Sequence, residues 1–289
     1  MKTLKNLLRS GLFIAAFLTF AGIAHATDFI VDTTTTDEGS GDCLTGTSGT
    51  CTIHRAINLA TSASEGPNRI IFSSSISGQA ISGFSSPALI SGDTQELTID
   101  GEENNITMSG TNGPILSISN TASNITIQNI NFDNGGGDWF GMGGAGSITV
   151  SSPDTGTTVT IQNNGFTHST CPGDGTRFRT AVYATPSTNP YNIEVLNNTF
   201  SGYNAFTTEA SNATFTVTGN EIDSNCSTLA IYARAGKGTI SDNDISINGT
   251  ISLEGLMSAI TYNNALPPPE FPSETGTVEI SNKIGRAHV

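Results

Sequence analysis

The segment Gly173-Asp-Gly-Thr-Arg-Phe-Arg179 sets two arginines, Arg177 and Arg179, close to Asp174. An arginine that takes a proton beside carboxylates that hold a cation is one route to cleaving an acidic polymer, which makes Asp174, Arg177 and Arg179 the catalytic candidates. The plainer expectation is that both arginines solvate a loop or pair with an acidic surface. His54 falls in what reads as a short helix, and His168 follows Phe166 near the loop, so neither reads as a base. A second segment, Gly135-Gly-Gly-Asp-Trp-Phe-Gly-Met-Gly-Gly-Ala-Gly146, carries Trp139 and Phe140. On a loop these two rings could stack on a sugar, or fold back over the protein's apolar body. The glycines make no phosphate cradle, since neither GxxxxGK[ST] nor a βαβ context accompanies them. Cys43, Cys51, Cys171 and Cys226 are an even set with no CxxC or HxxxH spacing for zinc, which favours disulfides. Cys43 and Cys51 enclose seven residues and can close locally.

What must position these residues is a repeat. An apolar residue, a spacer, a turn-former, two residues and then Phe or Ile recur as Ile127-Gln-Asn129-Ile-Asn-Phe132, Ile161-Gln-Asn163-Asn-Gly-Phe166 and Val195-Leu-Asn197-Asn-Thr-Phe200. Val217-Thr-Gly219-Asn-Glu-Ile222 and Ile240-Ser-Asp242-Asn-Asp-Ile245 continue it, and Ile280-Ser-Asn282 begins another copy. The terminal apolar residues are 34, 34, 22 and 23 positions apart, a solenoid period with insertions. Runs such as Thr158-Val-Thr-Ile-Gln162 alternate apolar with polar, so one face points inward. The expected fold is all-β, a right-handed parallel β-helix with a short N-terminal capping helix. Asn, Gly or Asp at the turn tolerates the left-handed backbone of a sharp corner. At a rung spacing of about 4.8 Å, Asn129, Asn163 and Asn197 should form a hydrogen-bonded ladder, with Phe132, Phe166 and Phe200 stacked inside. Cys171 and Cys226 then sit two coils apart, roughly 9.6 Å. That exceeds the Cα reach of a disulfide unless the inserted loop folds down.

The ends of the chain set compartment and extent. Lys2, Lys5 and Arg9 precede an apolar stretch and Ala24-His25-Ala26, the layout of a signal peptide over residues 1–26. Residues 27–66 should form an N-terminal cap of one strand and a short helix, and 67–282 the β-helix. Ile284-Gly-Arg-Ala-His-Val289 resembles an in-frame translation of a sequencing adapter, so 283–289 is expected to be a foreign tail on a truncated solenoid. An in-frame stop codon after Val289 in the native locus would refute this. The chain's net charge is −14; without the signal and tail, six cations remain against 25 acids, near −19. Such a chain has no clustered Lys/Arg for nucleic acid or anionic membranes. The composition suits an exported protein of the cell surface, the extracellular space or the periplasm, with no transmembrane segment in the mature fragment.

Cys51-Thr-Ile-His-Arg-Ala-Ile-Asn58, read as a short amphipathic helix, is similar to the Cys-Ser-Leu-Arg-Glu-Ala-Ile motif that opens many secreted bacterial β-helix proteins. Arg55 stands where that motif has an acid. Phe29-Ile-Val-Asp32, Asn68-Arg-Ile-Ile-Phe72, Ile76-Ser-Gly78 and Leu97-Thr-Ile-Asp-Gly101 resemble the same family's first coils. The resemblance spans most of residues 27–282 and implies the pectin-lyase-like superfold. That superfold hosts polysaccharide lyases and hydrolases as well as adhesins, so it confers no activity by itself. A polygalacturonase-like site wants paired aspartates, Gly-His-Gly and Arg-x-Lys, and the sequence has none of these. Asp133 and Asp223, the acids directly after a terminal apolar residue, do not fall on adjacent coils. No cofactor is expected; a pectate-lyase-like site would use calcium, and no EF-hand-like or Gly-Gly-x-Gly-x-Asp motif supports it. The preferred reading is a non-catalytic surface or secreted protein that binds a polysaccharide or cell-surface ligand. A polysaccharide lyase or glycoside hydrolase, and a structural spacer for a further domain, are the alternatives.

Overall fold

The computed structural model describes residues 26–36, 39–45, 50–63, 66–92, 96–102, 104–111, 113–121, 124–136, 138–139, 146–169, 178–223, 230–233, 236–246, 260–262 and 278–281. Among them the chain winds through three parallel sheets in turn, so the expected parallel β-helix with one capping helix is what forms. Sheet 1 stacks Thr27–Val31, Asn68–Phe72, Leu97–Asp100, Ile125–Gln128, Thr158–Gln162, Tyr191–Leu196, Ala213–Thr218, Lys237–Ser241 and Val278–Ser281. Sheet 2 stacks seven short strands from Ala80–Ser82 to Asp244–Ser246. Sheet 3 runs from Ala88–Gly92 through Leu116–Thr121, Gly146–Ser151, Phe178–Ala184, Asn204–Thr208 and Ile231–Ala233 to Ile260–Tyr262.

Register follows from the apolar alternation. Ile127, Ile161, Val195, Val217 and Ile240 lie directly over one another in sheet 1, all buried. A one-residue slip would turn this whole column to solvent. In sheet 2, Met108, Phe132, Phe166, Phe200, Ile222 and Ile245 form the matching column. The three phenylalanines are at most 1% exposed, with ring centroids 4.9 Å apart and planes 12° from parallel. Parallel in-register rungs leave stacking as the arrangement that fills this space without voids.

The corner between sheets 1 and 2 is two residues long in five successive coils, from Ile125–Gln128 to Lys237–Ser241. Its first residue is left-handed in every copy: Asn129, Asn163, Asn197, Gly219 and Asp242 have φ between 54° and 71°. The ladder expected from Asn129, Asn163 and Asn197 lies one residue later. A left-handed corner residue turns its side chain outward, and Asn163 and Asn197 are exposed, while the next residue is driven into the core. There Asn164, Asn198, Asn220 and Asn243 are at most 4% exposed. Each Oδ1 accepts the backbone N–H of the preceding rung, from Ile130, Asn164, Asn198 and Asn220, at 2.8–3.0 Å. Each Nδ2 donates at 2.9 Å to a carbonyl one rung back, of Ile127, Ile161, Val195 and Val217. The tight corner strands these backbone groups in an apolar interior, and the asparagines supply their partners.

On the outer surface near this corner, Asp100 gathers Asn129 Nδ2 and the Glu102 amide on Oδ1, and Gln128 Nε2 and Arg69 on Oδ2. Arg69 also bridges Glu102. Burial alone would raise the Asp100 carboxyl, but these donors outweigh it and hold it below the usual carboxylate range. A carboxyl whose folded pKa is depressed adds stability that is full above the unfolded value of about 3.9 and is lost as pH falls through the lower folded value. Acid titration of the unfolding free energy should therefore show a decline below about pH 4 that Asp100→Asn lacks. At neutral pH that variant should be about 1–3 kcal/mol less stable, since two donors then face an amide nitrogen or nothing. Parallel acid limbs for both proteins would refute this assignment.

The N-terminal end of the stack is closed by the helix Ile53–Ser62, four residues longer at its C-terminus than the expected Cys51–Asn58 and starting two later. Thr52 caps it, its hydroxyl accepting the Arg55 amide at 3.1 Å. Ile53, Ala56, Ile57 and Ala60 face the core. The expected Cys43–Cys51 disulfide forms just before the cap, with S–S 2.04 Å and Cα–Cα 5.2 Å. Cys171, Cys226 and the adapter-like tail lie outside the described residues. Among the described residues no helix is long and apolar enough to cross a membrane.

Candidate functional site

Insertions between coils gather at the corner from sheet 2 to sheet 3. The chain leaves sheet 2 at Asp133, Thr167, Ser201, Asp223 and Ser246, and re-enters sheet 3 at Gly146, Phe178, Asn204, Ile231 and Ile260. Only the coil through Gly202 and Tyr203 makes this corner with two residues. Of the sequence candidates, the Trp139 backbone and Arg179 are placed here. Asp138–Trp139 forms a short strand antiparallel to the start of Phe178–Ala184, with Asp138 opposite Arg179 and Trp139 opposite Phe178. The two segments that composition singled out are therefore joined backbone to backbone. Phe140, Asp174 and Arg177, like the Trp139 side chain, lie outside what is described.

Arg179 is half-buried, and its NH1 meets Nε2 of His168. A guanidinium keeps its protons, so Arg179 is the donor of this pair. His168 is buried, and its ring stands edge-on to Tyr203 at 5.3 Å. The Tyr203 hydroxyl donates to the Gly135 carbonyl at 2.7 Å and receives Ser147 Oγ at 3.3 Å. This ties both ends of the Gly-rich insertion to the corner two coils further on. Burial, reinforced by the charge of Asp133, pushes the phenol up to about 12, so it remains a hydrogen-bond donor at any ordinary pH. Gly202 makes the short corner feasible. Its φ is +79°, and a Cβ there would stand 2.5 Å from the His168 carbonyl oxygen. The outward side of sheet 3 is covered at its middle rungs, where Thr149, Tyr183 and Thr207 occupy one outward row and are all buried, while Leu89 at the start of that row is exposed.

His168, which does not read as a base in the sequence, and Tyr203, which carries no sequence signal, are the further members of this site. His168 is the second residue after a core Phe and Tyr203 the third, and nothing in the period marks either position. Asp133 and Asp223 stand in one row of sheet 2 with Thr167 and Ser201 between them. Three rungs put them about 14 Å apart. Two-carboxylate glycoside hydrolysis needs roughly 5–9.5 Å, so these acids cannot act as a pair. Among the described residues no three His, Cys, Asp or Glu side chains come together as a metal site.

Two tyrosines give a paired test of the burial chemistry. Tyr203→Phe should cost about 1–3 kcal/mol, because the buried Gly135 carbonyl loses its donor. The hydroxyl of Tyr191 is also buried but has no hydrogen-bond partner among the described residues. Tyr191→Phe should therefore be neutral or stabilise by up to about 1 kcal/mol. Urea unfolding of both variants decides it, and equal losses would contradict the two environments described.

No protein-family model matches the chain, and no curated protein matches it either.

Proposed function

We propose that this chain is an exported, non-catalytic β-helix that binds a polysaccharide or another surface ligand at its sheet 2 to sheet 3 corner. The observation that carries the reading is convergence: the Trp139 strand, the pair His168 and Arg179, and Tyr203 come from three successive coils and meet at one corner. Loops fixed on a rigid scaffold are where binding residues concentrate. An arginine whose plane is held by a neighbour suits recognition of carboxylate-bearing or hydroxyl-rich ligands, and Trp139 and Phe140 supply rings of the kind that stack on sugars. The signal-like residues 1–26, the acidic charge and the resemblance to secreted bacterial β-helix proteins favour the cell surface or extracellular space. The separation of Asp133 from Asp223 weighs against hydrolysis at this corner.

The test uses purified protein and a panel of immobilised neutral and uronic-acid polysaccharides, with and without calcium. Binding should occur without cleavage, and Trp139→Ala and Arg179→Ala should each weaken it about tenfold, the loss of one good contact. Release of unsaturated or reducing-end products, abolished by Arg179→Ala, would instead establish a lyase or hydrolase. Binding unaffected by either substitution would move the site elsewhere.

A further inference from the structure

Arg69 and Arg179 are both half-buried, and they are held in different ways. Arg69 meets two carboxylates, those of Asp100 and Glu102. Arg179 donates from NH1 to Nε2 of His168, and an imidazole nitrogen can receive that bond only while it carries no proton. This acceptor orients the guanidinium and takes no charge from it. His168 itself is held from several sides. Its ring is buried and edge-on to Tyr203 at 5.3 Å, and its amide donates to the Ser201 carbonyl at 2.9 Å. Gly202 lies so close that a Cβ there would stand 2.5 Å from the His168 carbonyl oxygen. Tyr203 is fixed in turn by the Gly135 carbonyl and by Ser147. Arg179, the second residue of Phe178–Ala184, carries a long side chain that is only half-buried, so it is the partner able to move.

Among the described residues, Arg179 and Tyr203 touch this ring, Asp133 and Arg179 both act by charge on the Tyr203 hydroxyl, and Asp138 pairs with Arg179 through the backbone. Of these side-chain types, histidine is the one whose ordinary value, about 6.5, falls between pH 5 and 8. We propose that His168 is the positioning residue of Arg179: the unprotonated ring holds the guanidinium in place to receive a carboxylate-bearing polymer, and protonating the ring sets it loose. The inference rests on the binding reading of this corner and adds to it a ligand class and a pH gate. A guanidinium fixed in its plane presents the fork geometry that pairs with a carboxylate. A proton from solvent lands on Nε2, the atom that accepts from Arg179. The bond is then lost and two cations stand in contact. Since the ring is wedged between Tyr203 and its own tethered backbone, the arginine is the group that swings away. Binding in acid should therefore fall toward what the protein would show without Arg179.

The experiment uses full-length protein in about 0.15 M salt, where screening over roughly 8 Å confines the effect to charges near the corner. Wild type, His168→Gln, His168→Leu and Arg179→Leu are compared for binding to soluble polygalacturonate at about pH 8 and about pH 5, both above the range where the probe's carboxyls titrate. The His168 ring is also titrated by NMR with no ligand present. Wild-type binding should fall about tenfold on acidification, as much as losing Arg179 costs. His168→Leu should bind about tenfold more weakly at both pH values. His168→Gln, whose amide oxygen accepts from Arg179 and does not titrate, should recover part of that loss and show no pH dependence. Removing the adjacent cation in Arg179→Leu should raise the midpoint of His168. Should a His168 variant fail to fold, the wild-type profile and the Arg179→Leu midpoint decide alone. A midpoint that does not move overturns the proposal with no ligand involved. So does wild-type binding that is equal at both pH values, or a fall that persists in His168→Gln and so belongs to another group. Absence of binding at both pH values alongside a midpoint that moves overturns the carboxylate gate as well, and places that failure in the binding reading and not in the His168–Arg179 contact.

Discussion

Phe166→Ala is expected to lower the unfolding free energy by about 3–5 kcal/mol, the range for removing a fully buried aromatic ring. Phe166 is the middle ring of three, in face-to-face contact with Phe132 and Phe200 on the adjacent coils. Neither neighbour can move into the vacancy without leaving its own rung, since sheet 2 holds all three in register. The cavity should therefore stay open, which places the loss at the upper end of the range. Phe166→Leu keeps most of the volume and should cost less than about 1.5 kcal/mol. Urea unfolding with an unchanged m-value would report these losses cleanly. Because the rings touch, Phe132→Ala and Phe166→Ala together should cost measurably less than the two single losses added. A loss under about 1 kcal/mol for Phe166→Ala would mean the ring is not packed as described.

Asn198→Ala should be nearly as damaging despite removing a small polar group, by about 2–5 kcal/mol. Its Oδ1 accepts both the amide and the side chain of Asn164, and its Nδ2 donates to the Ile161 carbonyl and to Asn220. Deletion leaves at least a backbone amide and a carbonyl in a dry interior, each costing about 1–3 kcal/mol. Asn197→Ala is the internal control. That residue is exposed, but its φ of 54° penalises any Cβ-bearing residue that lacks the asparagine's tolerance, by roughly 1–2 kcal/mol. Comparable losses at 197 and 198 would argue that the corner's conformation matters and the ladder does not.

That pair of positions also shows how far the sequence could be read. The column of Phe and Ile was legible because one residue per turn must be apolar and its spacing survives every insertion. The corner was legible for a similar reason, as only a few residue types accept a left-handed backbone. The ladder was harder. Asn163-Asn164 and Asn197-Asn198 carry asparagine at both positions, so these copies alone do not say which of the pair faces inward. The signal lay in the later copies: Gly219-Asn220 and Asp242-Asn243 vary the exposed residue and keep the buried one. The contact between His168 and Arg179 was not legible at all. Ten residues separate them along the chain, and only the rung on which each strand starts decides which side chains meet. The disulfide was legible because a seven-residue gap closes locally whatever the surrounding fold.

The two corners on either side of sheet 2 differ in what they permit. The first is held at two residues in the five coils from Ile125–Gln128 to Lys237–Ser241, since lengthening it there would carry the ladder asparagines away from their carbonyls. The second is free, because Gly202-Tyr203 closes with two residues what neighbouring coils close with many more. Loop length and loop content at the second corner are therefore uncoupled from the geometry of the stack. This makes the molecule a display scaffold: peptides grafted between Ser201 and Asn204, with Gly202 and Tyr203 retained at the junction, should be presented at fixed height on the rim. Neighbouring coils would offer them parallel partners one rung away, so a bivalent epitope could be built with its spacing set in steps of about 4.8 Å.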